Sequence, residues 1–254
     1  MFKVKRHIYE TSSTKTVRFD GSLGAIPGQF AMVWVPGVDE FPMSVSYPGR
    51  DFGITYQILG EGTKALGKKR AGEIVGIRGS YGNGFTVSKK RLLVVAGGLG
   101  MAPLAPLIEL ARKKKATVDL VIGARTSKEL LFERRAKAAG ATVEIATDDG
   151  TKGFKGFASE LARELIEKSL YDCVYTCGPE KMMVKVFDIA SREGIPVQAS
   201  LERIMKCGIG ICDSCAIDGV HVCKDGPVFS SARLGKFKDF GRTKLDPAGR
   251  KVPV

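Results

Sequence analysis

Four cysteines lie close together near the C-terminal end of the sequence, and they constrain the fold of that region more than any other feature. The four are Cys207, Cys212, Cys215 and Cys223. Their spacing, C-x4-C-x2-C-x7-C, places four thiols within seventeen residues and predicts a metal or cluster site. Gly208 and Gly210 separate the first two cysteines, where they permit tight turns that aim backbone N–H groups at sulfur.

The spacing favours an iron–sulfur cluster over zinc. The opening C-x4-C-x2-C matches plant-type [2Fe–2S] ferredoxins, although the fourth cysteine follows much sooner than in those proteins. A four-cysteine zinc site, the alternative, usually pairs two CxxC-type knuckles, and only Cys212 and Cys215 have that spacing. Arg203, Lys206 and Lys224 are nearby cations that could offset the negative charge of a cluster.

The composition is that of a globular chain without a membrane span. The chain has 254 residues, 44% of them hydrophobic, and its apolar runs fall far short of the roughly 20 residues that a spanning helix needs. Residues 1–10 are charged and lack the apolar core of a signal peptide, so we expect a cytoplasmic protein. Because disulfides are rare in cytoplasmic proteins, we do not expect the six cysteines to form a disulfide framework.

The net charge of +13 does not by itself indicate nucleic acid. The Lys and Arg residues are dispersed in short groups, without a basic stripe of interleaved aromatic side chains. We therefore expect most of this charge to be solvated surface, with no nucleic-acid partner and no membrane partner. Anionic dinucleotides and a docking partner would account for some of the rest.

Residues 1–88 contain short β-rich runs between Gly and Pro turns, such as Ala31–Val35 and Gly53–Leu59. Regular short strands with turn signals predict a small antiparallel β-barrel. The segment Phe41–Ser46 has the alternation of a half-buried strand, and Gly60–Leu66 is typical of a strand end that leads into a short helix.

Residues 89–198 follow a different pattern, in which strands and helices alternate. The predicted strands are Arg91–Ala96, Val118–Ile122, Thr142–Thr147 and Cys173–Thr176. The predicted helices are Ala102–Lys115, Glu129–Ala139, Ser159–Lys168 and Pro179–Arg192. This alternation predicts an α/β domain with a doubly wound parallel sheet.

Residues 199–254 form the third block, which is rich in turns and carries the four cysteines. Its last stretch, Arg233–Val254, is basic and has little apolar periodicity, so we expect a loosely ordered tail. The chain is thus predicted to have several domains: an N-terminal antiparallel β-barrel, a central α/β domain and a small C-terminal cluster domain.

A glycine-rich loop follows the first strand of the α/β block. Gly97, Gly98 and Gly100 allow the backbone to approach a pyrophosphate, Met101 is placed in the same cofactor-binding loop, and the helix that follows supplies N–H donors at its N-terminus. Read as GxGxxG, the loop fails at its last position, which is Pro103. On these residues alone, a tight turn without a ligand explains the loop equally well.

A second loop of the same kind is formed by Cys177, Gly178 and Pro179, again between a strand and a helix. Pro179 suits the first position of a helix. Two such loops on one sheet favour a crevice at the carboxyl ends of the strands, where dinucleotides bind. Cys177 is either a packed thiol at the strand end or a group beside a nicotinamide.

Together these motifs resemble the ferredoxin–NADP reductase-like superfamily, and most closely the electron-transfer subunits of type B dihydroorotate dehydrogenases. The resemblance spans nearly the whole chain, and its most specific parts are the segments Ser200–Cys215 and Cys223–Phe229. It implies a flavin-binding barrel (1–88), a nicotinamide-binding α/β domain (89–198) and a [2Fe–2S] domain with a basic tail (199–254).

The resemblance also assigns cofactor contacts. It places FAD against the residues Pro42, Met43, Ser44, Val45, Tyr56, Gln57, Ile58, Gly62 and Thr63. One departure is clear: the family motif usually begins with an Arg that pairs with the flavin phosphates, and here that position is Phe41. Backbone donors and another cation, Lys64 or Arg78, would then have to hold the phosphates.

The resemblance implies an oxidoreductase subunit rather than a complete enzyme. A separate FMN-containing catalytic subunit would oxidise dihydroorotate in pyrimidine biosynthesis, and electrons would pass through the [2Fe–2S] cluster and FAD of this chain to NAD. Two copies of each subunit would form the complex. No protein acid–base group is needed for hydride transfer between a flavin and a nicotinamide, and we identify no catalytic side chain.

Two alternatives remain open on the sequence. Subunits of a sulfide dehydrogenase, an NADH–ferredoxin–NADP transhydrogenase or a soluble hydrogenase combine the same flavin and cluster domains. A basic, zinc-stabilised binding protein without catalysis is a more remote alternative, which would show salt-sensitive nucleic-acid affinity and no flavin.

Overall fold

The computed structural model describes residues 1–88 and 90–254. Its N-terminal part is a closed antiparallel barrel in which the strands follow the order β1-β2-β5-β4-β3-β6. The strands are β1 (Phe2–Tyr9), β2 (Thr14–Phe19), β3 (Phe30–Val35), β4 (Asp39–Tyr47), β5 (Gly53–Gln57) and β6 (Ile74–Tyr81). A short helix, α1 (Glu61–Lys68), connects β5 to β6.

The barrel closes because one side of each strand is apolar and buried. Phe19, Val33, Ile54 and Val75 come from four different strands, and all are fully buried in one cluster. Inward and outward side chains alternate along a barrel strand, so polar residues of the same strands remain near the surface. The predicted antiparallel barrel is confirmed.

The second part is a sheet with helices on both faces. Its strands are β7 (Arg91–Gly97), β8 (Thr117–Ala124), β9 (Thr142–Thr147), β10 (Phe154–Lys155), β11 (Cys173–Cys177) and β12 (Val197–Ser200). Its helices are α2 (Met101–Lys113), α3 (Glu133–Ala138), α4 (Ala158–Lys168) and α5 (Glu180–Arg192). These strands are parallel and lie in the order β10-β9-β8-β7-β11-β12. From β7 the chain first adds strands on one side and then crosses over to add β11 and β12 on the other, which creates a switch point between β7 and β11.

The predicted strands of this sheet and its first, third and fourth helices lie within two residues of the observed bounds. The predicted helix Glu129–Ala139 is wrong in its first part, where a 3-10 turn covers only Ser127–Glu129 and α3 starts at Glu133. Leu131 and Phe132 are buried in the core, and Phe132 takes a positive φ of 60°. A residue with left-handed backbone interrupts a right-handed helix, so α3 begins only after Phe132.

The third part contains the short elements β13 (Ala216–Ile217), β14 (Val220–His221), α6 (Val222–Asp225), β15 (Val228–Ser230), α7 (Ser231–Leu234), β16 (Thr243–Leu245) and β17 (Lys251–Pro253). β15 pairs antiparallel with β12, so the sheet gains a seventh strand from beyond the predicted boundary at residue 198. The other predicted boundary, at residue 89, lies outside the described residues. Both boundaries stay predictions.

The expected loose tail at Arg233–Val254 is wrong. β16 and β17 form a hairpin, and Phe240 is buried with its ring edge-on to Phe187 of α5, 6.2 Å between centroids. The tail contains few apolar residues, but one of them, Phe240, contacts a helix from another part of the chain, which local periodicity does not reveal. No helix within the described ranges has the length and apolarity to cross a membrane.

Two loops at the carboxyl edge of the sheet touch backbone to backbone. β7 and β11 are adjacent, with Ala96 opposite Cys177, so the loop that follows each strand meets the other. A Cβ added to Gly100 would overlap the Cys177 carbonyl, and one added to Gly178 would lie 2.8 Å from the backbone of Gly97. The glycines are therefore required by close approach of two main chains.

We predict that Gly100→Ala lowers the free energy of unfolding by ~1–3 kcal/mol, because the new methyl group must displace the β11 loop. Gly100 already has φ −56°, so backbone strain does not contribute to this loss. Gly67→Ala in α1 is the control, since its new Cβ would meet nothing nearer than 3.5 Å. Urea denaturation followed by circular dichroism measures both variants, and equal stability of Gly100→Ala and the unmodified protein would contradict the prediction.

Candidate functional site: two adjoining cavities and a cysteine loop

A cavity of about 530 Å³ opens at the carboxyl edge of the sheet. Gly97 and Gly98 line it after β7, Arg125 after β8, and Pro179 at the start of α5. The turn between β1 and β2 of the barrel closes the opposite side with Thr11 and neighbouring residues. Since the cavity lies beside the switch point, it has the position in which doubly wound sheets bind dinucleotides.

The charged residues of this large cavity come from two sides. Arg125 donates two hydrogen bonds to Glu129, of 3.1 and 2.8 Å, and Asp148 lines the same end. Lys181 and Lys185 line the α5 side, where the Lys185 ammonium lies 5.3 Å from the ring centroid of Phe157. Lys181 and Lys185 on the α5 side suit the negative charges of a diphosphate. Arg125 on the opposite side is already paired with Glu129, which suits a ribose without a further phosphate.

A second cavity, of about 210 Å³, adjoins the first, and Gln57 and Leu99 line both. Of the residues predicted to contact cofactors, it is lined by Pro42, Met43, Ser44, Gln57, Thr63, Gly100, Cys177 and Gly178. β4, β5, α1 and the two glycine loops thus meet around one space. A ligand in the small cavity would directly face a ligand in the large one.

Other predicted residues lie elsewhere. Among the described residues that line either cavity, none is Val45, Tyr56, Ile58, Gly62 or Met101. Val45, Tyr56 and Met101 are fully buried, because alternate strand residues and the inner side of α2 face the core. Their assignment to cofactors stays a prediction, and only their backbone could serve it.

Gly62 is positioned by the residue that departs from the family motif. The Phe41 ring lies so close to Gly62 that an added Cβ would be 2.5 Å from Cε1. An apolar ring thus covers the first turn of α1 at the place where a cation was expected. Of the two substitute cations, Arg78 is already bound to Glu40 and to the Cys207 carbonyl, whereas Lys64 is exposed on α1.

Cys177 lines the small cavity as a neutral thiol. Burial, assisted by the charge of Glu202, raises the pKa of Cys177 to about 12. A thiol with this pKa is a poor nucleophile at neutral pH. The side chain therefore shapes the cavity and supplies no covalent chemistry.

The cysteine loop is organised by its own backbone. Gly208 and Gly210 have φ of 75° and 78°, and the turns they permit let Ile209 and Ile211 donate N–H to the Cys207 sulfur at 3.5 and 3.4 Å. Burial opposes ionisation of Cys207, but these amide hydrogen bonds outweigh it and lower its pKa to about 6. The first thiol of the motif is thus prepared as a thiolate ligand.

The remaining thiols lie around it. Cys212 donates hydrogen bonds to the Cys207 sulfur from its thiol and its amide, and the Cys223 amide donates to the Cys215 sulfur at 3.4 Å. Burial and the neighbouring Cys215 raise the pKa of Cys223 to about 12. Among the described residues, no three His, Cys, Asp or Glu side chains already form a metal site. Four thiols within seventeen residues, two of them approached by backbone amides, nevertheless match the donors that an iron–sulfur cluster needs.

Arg203, one of the cations predicted beside the cluster, is already paired with a carboxylate. Its guanidinium forms a two-pronged ion pair with Glu180, and both side chains are almost fully buried. The Gly241 amide of the tail donates to the same carboxylate at 2.7 Å. This pair therefore joins the start of α5, the segment before the cysteines and the tail.

The iron–sulfur and nicotinamide domains each match a family model. Residues 202–235 match the iron–sulfur cluster binding domain of dihydroorotate dehydrogenase B, and residues 94–187 match the oxidoreductase NAD-binding domain. The chain is 44% identical over 252 residues to a Methanocaldococcus jannaschii protein named probable dihydroorotate dehydrogenase B (NAD(+)), electron transfer subunit, covering 98% of this chain and 96% of that protein. The chain belongs to the dihydroorotate dehydrogenase B electron transfer subunit family.

Further relatives agree with this membership. A Methanothermobacter thermautotrophicus protein of the same name is 45% identical over 260 residues, covering 100% of this chain and 97% of that protein. The family predicted from the sequence is confirmed. A chain of the NADH-dependent reduced ferredoxin-NADP oxidoreductase structure superposes with a TM-score of 0.83 at 24% identity, covering 91% of this chain and 88% of that one. This likeness confirms the fold of the family.

Sequence reasoning missed two parts of the cavities. Leu201, Glu202 and Met205 line the small cavity, although they precede the cysteines and belong to the third block. Ser13 and Thr14 line the large cavity from the barrel. The family motif that begins at Ser200 marked the segment around Leu201 as specific, but it did not show that these residues face the small cavity. Ser13 and Thr14 look like an ordinary Ser/Thr turn and gave no signal.

We predict that Cys223→Ser abolishes stable cluster binding, because a serine oxygen is a poor substitute for a thiolate on iron. Cys173→Ala is the matched control, since Cys173 is a buried residue of β11 remote from the loop. Iron, zinc and acid-labile sulfide are measured in protein prepared without oxygen, together with the visible spectrum. Unchanged iron and sulfide in Cys223→Ser would refute its role as a ligand.

Proposed function

We propose that this chain is the electron transfer subunit of a dihydroorotate dehydrogenase B, which carries FAD and a [2Fe–2S] cluster and delivers electrons to NAD. The observation that carries the proposal is that the small cavity adjoins the large one and is lined by Leu201 and Met205, in the segment that leads to Cys207. Bound in these places, the groups would supply one-electron transfer at the cluster and hydride transfer from flavin to nicotinamide.

The small cavity supports flavin binding. Its walls combine apolar Met43 and Leu201 with polar Ser44 and Thr63, as an amphipathic ring system requires. The Thr63 hydroxyl accepts the Leu59 and Gly60 amides at 3.0 and 3.1 Å and so fixes the first turn of α1. With Phe41 in place of the usual Arg, the backbone donors of α1 and Lys64 would hold the flavin phosphates.

The large cavity supports NAD binding at the two glycine loops. The diphosphate would be held by backbone N–H groups at the start of α2 and by the Lys181 and Lys185 side chains. Cys177 and Gly178, which line the small cavity, would face the nicotinamide where the two cavities adjoin. The side chains here orient ligands and exclude water. They need not transfer a proton, since hydride transfer between a bound flavin and a bound nicotinamide would require no protein acid or base.

The cysteine loop supports docking of a catalytic subunit. Because the Ile209 and Ile211 amides point at the Cys207 sulfur, their side chains point outward and are 48% and 76% exposed. Apolar side chains around an exposed Cys212 give a surface that a partner can cover. The partner would be an FMN-containing dihydroorotate-oxidising subunit, with two copies of each chain. The cytoplasmic location remains a prediction.

We expect the chain, co-expressed with such a catalytic subunit, to co-purify as a complex that oxidises dihydroorotate and reduces NAD. The isolated chain should contain about one FAD and about two irons, should reduce dyes with NADH, and should not oxidise dihydroorotate. A complex with full cofactor content that uses reduced ferredoxin or sulfide instead of dihydroorotate would favour the alternative subunits.

We predict that Glu129→Gln relaxes selection for NAD over NADP. In the unmodified chain the Arg125 guanidinium is occupied by Glu129, and Asp148 adds a second negative charge where a 2′-phosphate would arrive. The amide should release Arg125 and improve the NADPH-to-NADH ratio of kcat/KM about 10-fold in dye reduction.

The matched control for this prediction is Glu164→Gln. Glu164 forms an exposed i,i+4 pair with Lys168 on α4, away from both cavities, so its loss should leave the cofactor ratio unchanged. An unchanged ratio in Glu129→Gln would show that Glu129 does not select the nicotinamide.

A further inference from the structure

Arg78 lies between the flavin barrel and the first cysteine of the ligand loop. It belongs to β6, where it pairs with Met32 of β3. Its Nε and one terminal nitrogen donate to the two Glu40 oxygens at 2.8 and 2.9 Å, and both terminal nitrogens donate to the Cys207 carbonyl at 3.1 Å. One planar group therefore joins residues 129 positions apart in sequence.

The shape of the guanidinium explains why this contact is directional. Glu40 binds one edge of the planar fork and thereby turns the other edge toward Cys207. The Tyr81 hydroxyl accepts a further, longer hydrogen bond of 3.4 Å from the same group. Lys could provide the charge at this position but not the two-edged geometry.

The loop also packs directly on the barrel at this point. A Cβ added to Gly208 would lie 3.0 Å from the Met32 side chain and 3.4 Å from the Tyr81 ring. The residue after the first cysteine therefore rests on β3 and β6, and Arg78 fixes the preceding carbonyl. Arg78 therefore both positions the loop and places a positive charge beside it.

We propose that Arg78, oriented by Glu40, is a positioning residue that holds the Cys207 loop against the flavin barrel and raises the reduction potential of the cluster. The inference rests on the proposed function, since it requires a cluster on Cys207. Reduction adds one electron and hence one negative charge to the cluster. A cation that contacts the backbone of a ligand residue stabilises the reduced form, whereas the Glu40 carboxylate partly cancels that effect.

The test measures the midpoint potential of the cluster in the FAD- and iron-loaded protein, by redox titration followed by electron paramagnetic resonance. Arg78→Gln removes the cation and leaves Glu40, so the potential should shift downward. Glu40→Gln removes the anion and leaves the cation, so the potential should shift upward. Arg78→Lys should recover part of the potential lost in Arg78→Gln.

Asn83→Ala separates charge from simple loosening. The Asn83 side chain joins the barrel to the other end of the cysteine region by donating to the Asp225 carbonyl at 2.7 Å, and it is neutral. Its removal should leave the potential unchanged. Opposite shifts in the Arg78 and Glu40 variants, with no shift in Asn83→Ala, would support the proposal.

An unchanged potential in Arg78→Gln, or shifts of the same sign in Arg78→Gln and Glu40→Gln, would overturn it. If Arg78→Gln fails to fold, the midpoint potentials of Glu40→Gln and Arg78→Lys decide. A downward shift in Glu40→Gln would then overturn the proposal, and an upward shift with Arg78→Lys at or below the unmodified protein would support it. Iron and sulfide are measured first in the unmodified protein. Absence of a cluster there would refute the proposed function, whereas a loaded cluster that is insensitive to Arg78 would refute only this inference.

Discussion

The binding surfaces of this chain depend on one constraint, the reversal of strand order at β7. Because β8 lies on one side of β7 and β11 on the other, the loops after β7 and β11 diverge above the sheet edge after touching at their glycines. The contact between Gly100 and Cys177 lies next to Leu99, one of the residues that line both cavities. Side chains at these glycines would push the two loops apart and so disturb the place where the cavities adjoin.

The barrel contributes more than a flavin surface, because it also carries the cysteine loop. Gly208 lies on β3 and β6, while β4 and β5 face the small cavity from a neighbouring part of the same barrel. The distance between the cysteine loop and the small cavity is therefore set by a closed set of hydrogen-bonded strands. Electron transfer depends on such fixed distances, and a barrel without free edges provides them better than a flexible linker.

The sequence was sufficient to predict the elements whose signals are local. Strands β7, β8, β9 and β11 are short apolar runs, and the spacing of the four cysteines predicts a cluster site. Predictions failed where distant contacts determine the outcome: Phe132 leaves the predicted helix to be buried near Tyr47, and Phe240 orders the tail by contacting α5. Likewise, Arg78 gave no sign of its partner, because Cys207 lies far along the chain and only the folded barrel brings them together.

The buried pair of Arg203 and Glu180 has a consequence for how the family can diverge. Loss of either partner would leave a lone charge in an interior that cannot solvate it, at a cost of about 3–5 kcal/mol. Neutral replacement of both together would be far less harmful. Evolution at these two positions should therefore proceed by coordinated exchange, so that related sequences retain both charges or neither.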